Sequence, residues 1–251
     1  MKQTMNLFGR SLVLAIALSL MIFNLADAAE TTHKHGKDAD MEMHHMHMLM
    51  NHGLAMVTEG SNMVMLGEMK MAAAVDPMTI EHGRHMMKSG KDVINRVLSG
   101  KEMEGLHKAG HKDDPLMKYT HELGEEMLKL VAGLEKMSME GMTSADMMEM
   151  HHMHIMMNHA LGMAAEGSTL VMLGQMGMAK DIDTFSIEHG KEMLSGARSM
   201  MTEVMEGKAM KDMHAAGKDM KDPMMAETHK TGEISMKIVD MLSKMPSAGS
   251  K

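Results

Sequence analysis

The chain of 251 residues has no cysteine and no tryptophan, one tyrosine and three phenylalanines. Without thiols it forms no disulfide and offers no thiolate to a metal, and c-type haem, which is attached through Cys-x-x-Cys-His, is excluded. Phe8 and Phe23 lie in the first 28 residues, so beyond them Tyr119 and Phe185 are the only phenyl rings. Strand-type alternation of β-branched residues is also missing, and proline is scarce, with four in all. The net charge of −8 argues against nucleic acid as a partner and mildly favours cations. After residue 28 no segment is apolar over the roughly 20 residues a membrane span requires.

Methionine fills the gap, with 44 in the chain. The core must be built mainly from Met, with Leu, Val, Ile and Ala; Met fills irregular space well and specifies geometry poorly. At the N-terminus, Lys2 and Arg10 flank a polar start before the apolar run Ser11 to Leu25, and Ala26-Asp27-Ala28 has the small-x-small form of a cleavage site. A signal peptide over 1–28 and a periplasmic or secreted chain beginning at Ala29 are expected, with no membrane span after signal removal.

The remainder is a tandem repeat. Met41 to Met137 aligns with Met148 to Met245 at an offset of 107, becoming 108 after one inserted residue before Asp222-Pro223. Residues 29–40 read as a flexible polar leader, 138–147 as a linker and 246–251 as a tail. Apolar residues recur at three and four, so each copy reads as helical. The first copy should hold long helices near 40–74, 77–99 and 115–137, with a short one near 101–109. Asp76-Pro77, Asp114-Pro115 and Asp222-Pro223 have the form of an N-cap followed by Pro, and Asp183 takes the same role. The expected fold is all-α, two antiparallel helical-bundle units of three long helices and a short one each.

On the first helix His45, His52, Glu59 and Leu66 recur at seven, beside Gly53, Gly60 and Gly67; His152, His159, Glu166 and Leu173 repeat the line. A seven-residue repeat predicts a face kept toward a partner helix. The glycines allow close approach or leave room for a flat cofactor, and Gly60-Ser61 marks a weak point in the helix.

Differences between the copies sort the methionines. Met48 exchanges with Ile155, Met63 with Leu170, Met78 with Phe185 and Leu128 with Met236, the behaviour of core filler. From Arg84 to Asp113 only 8 of 30 positions match, yet Met86, Met103 and His107 persist as Met193, Met210 and His214. Further on, Met117, His121, Gly124 and Glu125 persist as Met225, His229, Gly232 and Glu233. Of nine histidines in the first copy seven are retained, namely His44, His45, His47, His52, His82, His107 and His121; their counterparts are His151, His152, His154, His159, His189, His214 and His229. Six of the seven have a Met four residues away in both copies, as in Met43/His47, His52/Met56, His82/Met86, Met103/His107 and Met117/His121, with His159/Met163 among the counterparts. Residues four apart share a helical face, so both side chains can reach one ion. Thioether with imidazole suits Cu(I), and Ag(I) by the same logic, whereas zinc gains nothing from Met.

The stretch MHHMHMLMNHGLAMVTEG, Met43 to Gly60, resembles the first helices of exported Met/His-rich helical proteins associated with copper handling. The resemblance covers only the first helix of each copy. It implies Cu(I) carried by His44, His45, His52 and Met56 and by His151, His152, His159 and Met163. A metal-transport or chaperone protein is the expected partner beside the metal ion itself.

Other readings compete. Glu42-x-x-His45 and Glu149-x-x-His152 have the spacing of ferritin-like di-iron sites, with Glu59, Glu81 and Glu125 retained as Glu166, Glu188 and Glu233. One such pair per copy means that a di-iron site must span both copies. Haem b held by His and Met fits a bundle but lacks aromatic packing. A Met-rich adaptor or a sacrificial methionine-oxidation sink leaves the His–Met pairing unexplained. No catalytic signature is present, so the chain reads as a binding protein and not an enzyme; Ser61 and Ser168 lie beside Gly without an acid–base partner.

Overall fold

In a computed structural model, residues 37–137, 144–215 and 223–245 are described. Beyond Asp38 they lie in one compact unit, Ala39–Lys251. The expected signal peptide, most of the leader, residues 138–143 of the linker, Asp222 and the tail fall outside the described residues. The fold is all-helical, a bundle of six long helices and two short ones among the described residues. They are α1 (Lys37–Glu68), α2 (Asp76–Ser99), α3 (Lys101–Lys108), α4 (Pro115–Leu134), α5 (Ser144–Gln175), α6 (Lys180–Glu206), α7 (Lys208–Ala215) and α8 (Pro223–Ser243). No helix among the described residues is long and apolar enough to cross a membrane.

Methionine dominates the interior, as the lack of aromatics requires: Met43, Met50, Met103, Met117, Met127, Met157 and Met172 are seven of the twelve largest fully buried side chains. Asp114 caps α4, its carboxylate accepting from the Leu116 amide at 2.8 Å ahead of Pro115. Asp76 and Asp183 differ from the expectation. Each lies inside its helix and reaches back four residues, to the amides of Ala72 (2.9 Å) and Ala179 (3.0 Å), tying down the preceding turn. Helix α1 runs unbroken through Gly60-Ser61, which are both buried, and the helices take in Lys37 and Ser144, so the leader and linker are shorter than expected.

The glycines of α1 form its contact with α2. A Cβ on Gly60 would stand 2.5 Å from the Gly83 carbonyl, one on Gly90 2.4 Å from the Gly53 carbonyl, and one on Gly67 2.5 Å from Ile80. The two backbones therefore touch over successive heptads, antiparallel, and no space is left there for a flat cofactor. Gly167 against Gly190 and Gly174 against Ile187 repeat this between α5 and α6. The heptad line His45, His52, Glu59, Leu66 is the neighbouring one and faces solvent, as does its counterpart. One residue is a 100° rotation on a helix, and the sequence reading put the wrong line of the pair in the interface.

The copies meet through α1 and α5 and through α4 and α8. Asn51 donates to the Ala165 carbonyl (3.2 Å) and Thr169 (3.1 Å), and Asn158 donates to Asn62 (2.7 Å), an antiparallel and nearly symmetric pairing of buried amides. Between α4 and α8, Tyr119 donates to the Met241 carbonyl (2.7 Å) and Lys237 to Glu126 (2.9 Å). Burial raises the Glu126 pKa, but the hydrogen bonds from Lys129 and Lys237 outweigh it and hold the carboxyl below its ordinary range.

Candidate metal centre

Two histidine pairs stand out, and they are copies of each other. His107 on α3 and His121 on α4 bring their Nε2 atoms to 3.1 Å; His214 on α7 and His229 on α8 bring theirs to 2.8 Å. The rings lie nearly parallel, with interplanar angles of 28° and 18°. A short helix and a tight turn before Asp114-Pro115 fold α3 back beside α4, which sets the pair. One turn before each histidine sits a fully buried methionine: Met103 and Met117 in the first copy, Met210 and Met225 in the second.

Two facing imidazole nitrogens cannot both present lone pairs without a cation between them. A proton serves, as Nε2–H donating to the other Nε2, and so does a metal ion. Metal–nitrogen bonds of about 2.0–2.1 Å put two ligating nitrogens roughly 3.3 Å apart at a tetrahedral ion and 4 Å at a linear one. The observed separations fall short of this by about 0.2 Å to about 1.2 Å, within the reach of rotamer changes at partly exposed side chains. His121 and His229 are both held below the ordinary histidine pKa by burial and then by the partner imidazole, against a smaller opposing pull from Glu125 or Glu233. The neutral, ligating form is thereby favoured.

A second set lies inside. His47 is completely buried and His154 only 1% exposed, with His44 and His151 one turn earlier also buried. The His47 Nε2 lies 2.9 Å from the Thr120 hydroxyl, which also donates to the Leu116 carbonyl at 2.7 Å. The hydroxyl proton being so used, His47 donates from Nε2 and its Nδ1 carries the lone pair. The equivalent hydroxyl, Thr228, donates instead to the Met150 sulfur at 3.4 Å, and both ring nitrogens of His154 are left without a partner among the described residues. Burial first, and then the adjacent His44 or His151, push the pKa of His47 down to about 3 and that of His154 to about 4.

The other sequence candidates are not gathered. His45, His52 and His82, with His152, His159 and His189, are exposed on their helices, and Met56, Met86, Met163 and Met193 are half-buried. His189 stacks on Phe185, at 5.7 Å between centroids. The carboxylates of the di-iron reading, Glu42, Glu59, Glu81 and Glu125 with their counterparts, are all exposed. No group of three or more His, Asp or Glu with metal-site geometry occurs among the described residues. The exchangeable Met78 and Phe185 prove to be surface residues, 67% and 66% exposed, and not core filler; their freedom to vary reflects the absence of packing. The buried Asn51 and Asn158 went unread, although their retention in an apolar stripe was the available signal.

Comparison of the chain with protein-family models, with curated proteins and with solved structures finds no match.

Proposed function

We propose that this is an exported, non-enzymatic protein that binds Cu(I), or Ag(I), for storage, buffering or resistance. The observation that carries the proposal is the duplicated Nε2-to-Nε2 histidine pair, each imidazole one turn from a buried thioether. Two neutral nitrogens with soft sulfur nearby fit a soft monovalent ion, and the adjacent carboxylates, Glu125 and Glu233, are exposed and not directed inward as a harder ion would need. The acidic surface offsets the charge that neutral ligands leave on the ion. Release to a metal-transport or chaperone protein suits the partly exposed position of the pairs. Competition with a chromophoric Cu(I) chelator is the test. His121→Asn together with His229→Asn should lower Cu(I) affinity at least tenfold in a chain that stays helical. Unchanged affinity, or Zn(II) bound as tightly as Cu(I), would sink the proposal.

A further inference from the structure

We infer that each copy also contains an interior site for a soft monovalent cation, Met43–His47–Met50 in the first and Met150–His154–Met157 in the second. It shares with the proposed function the class of ion but rests on different residues and a different observation.

The spacing comes first. Positions −4 and +3 from a helical residue lie on its own face, so in both copies a thioether stands one turn before and one turn after an imidazole. All six side chains are at most 2% exposed. A packing role does not account for the imidazole at the centre. Leu or Met fills the same volume without polar atoms, whereas a buried polar group lacking a hydrogen bond is destabilising. His47 bears that cost at Nδ1 and His154 at both nitrogens. Both are imidazoles one helical turn from buried thioethers on either side, a donor set that gains from a soft cation.

The Thr120 contact strengthens the assignment in the first copy. A ligating histidine normally donates its other ring N–H to a fixed acceptor, which sets the tautomer and aims the lone pair. Thr120, its own proton committed to the Leu116 carbonyl, is such an acceptor for His47 Nε2. The ligand atom is then Nδ1. In the second copy Thr228 points its hydroxyl at the Met150 sulfur and not at the imidazole, so the His154 ring has no such acceptor and a cation competes with that weak bond for the sulfur. The first site is preorganised and the second is not, so the first binds more tightly. Thr120 and Thr228 each directly precede a histidine of the outer pairs, His121 and His229, so outer and inner sets share one turn of α4 or α8. An ion held outside has a short way in.

The test uses the full chain, Ag(I) as silver nitrate, and a variant in which His107, His121, His214 and His229 are all replaced by Asn. This variant should retain one Ag(I) per copy, and His47→Leu with His154→Leu should then remove both ions while the helical circular dichroism signal persists. Long-range 1H–15N spectra of the wild-type chain provide a readout that needs no variant. On Ag(I) addition the Nδ1 resonance of His47 should shift while Nε2 keeps its protonated position. The resonances of His154 should respond at a higher Ag(I) concentration. If the four-Asn variant binds no Ag(I), or the His47 and His154 nitrogens stay unmoved at saturation, the interior sites do not exist. The outer-pair reading then stands or falls by whether the wild type binds. If the four-Asn variant binds as many ions as the wild type, the outer reading fails and the interior one is upheld.

Discussion

Replacing glycine by alanine should have opposite effects at Gly60 and Gly162, two positions in equivalent long helices. In a helix interior the change alone gains about 0.5–1 kcal/mol, because alanine loses less backbone freedom on folding. At Gly162 nothing lies within 4 Å of the new Cβ, so the full gain should appear. The first copy already carries alanine there, at Ala55. At Gly60 the new carbon meets the Gly83 carbonyl oxygen at 2.5 Å and the Met87 amide and Cγ at 2.9 Å. Two of these three atoms are backbone, so relief requires α1 and α2 to move apart by close to 1 Å. Overpacking of this kind costs about 1–3 kcal/mol, and the neighbouring heptad contact between Gly53 and Gly90 loosens with it. Gly60→Ala should therefore destabilise by up to about 2 kcal/mol after the helix gain is deducted. Urea unfolding followed at 222 nm reads both, as midpoints moving in opposite directions at equal slope. A Gly60→Ala chain as stable as Gly162→Ala would mean that the glycine line is not the α1–α2 contact.

Three further outcomes are expected. In the metal-free chain the folded-state pKa values of His47 and His154, about 3 and about 4, lie below the ordinary 6.5, so the unfolded chain binds protons that the folded chain refuses. Their contribution is therefore intact above pH 6.5 and falls as pH drops, by about 2 kcal/mol per histidine at pH 5; equal urea midpoints at pH 7 and pH 5 would refute this. Asn51→Ala removes the bonds to Ala165 and Thr169 between α1 and α5 and should cost about 1–2 kcal/mol in urea unfolding, with no loss if that pairing is absent. Met117→Leu with Met225→Leu conserves volume and should cost less than about 1.5 kcal/mol while lowering Cu(I) affinity, whereas Met63→Leu changes neither; equal Cu(I) affinity in all these chains would make the methionines packing alone.

The helices were legible because their signals are local. Apolar spacing, Asp114-Pro115 and the internal repeat placed the long helices, with ends within about four residues except for α1 and α5, which stop six residues short of the expected end. What sequence could not fix was rotation. His45, His52 and Glu59 advance in step with Gly53 and Gly60, one residue apart, and both lines have the heptad period. Only the Gly83 and Gly90 backbones opposite show which line is covered. The same ambiguity governs the ligand set. Met four from His occurs in six retained pairs, but pairing on one helix says nothing about convergence between helices. His107 and His121 converge because a short helix and a tight turn bring α3 back beside α4. His82/Met86 has the same spacing, but His82 is exposed on its helix and meets no second histidine among the described residues. Of the proposed inner site, the Met43/His47 pairing was legible from spacing, whereas the threonine that holds His47 was not, since it lies 73 residues away.

The antiparallel pairing of the copies decides whether they act jointly on one ion or separately. On α4 and α8, Tyr119 lies opposite Met241 and Glu126 opposite Lys237. His121 is therefore level with the last turns of α8, and His229 with a point on α4 about ten residues beyond His121, roughly 15 Å along the axis. On α1 and α5, Asn51 lies opposite Ala165 to Thr169, and Asn62 opposite Asn158. Glu42/His45 and Glu149/His152 thus belong to opposite ends of that pair, roughly 30–45 Å apart. A di-iron centre drawing one Glu-x-x-His from each copy has no place where its ligands meet. On the proposed function, duplication multiplies sites whose ligands all come from one copy. Metal binding should accordingly be additive, and disabling the histidine pair of one copy should leave the affinity of the other unchanged.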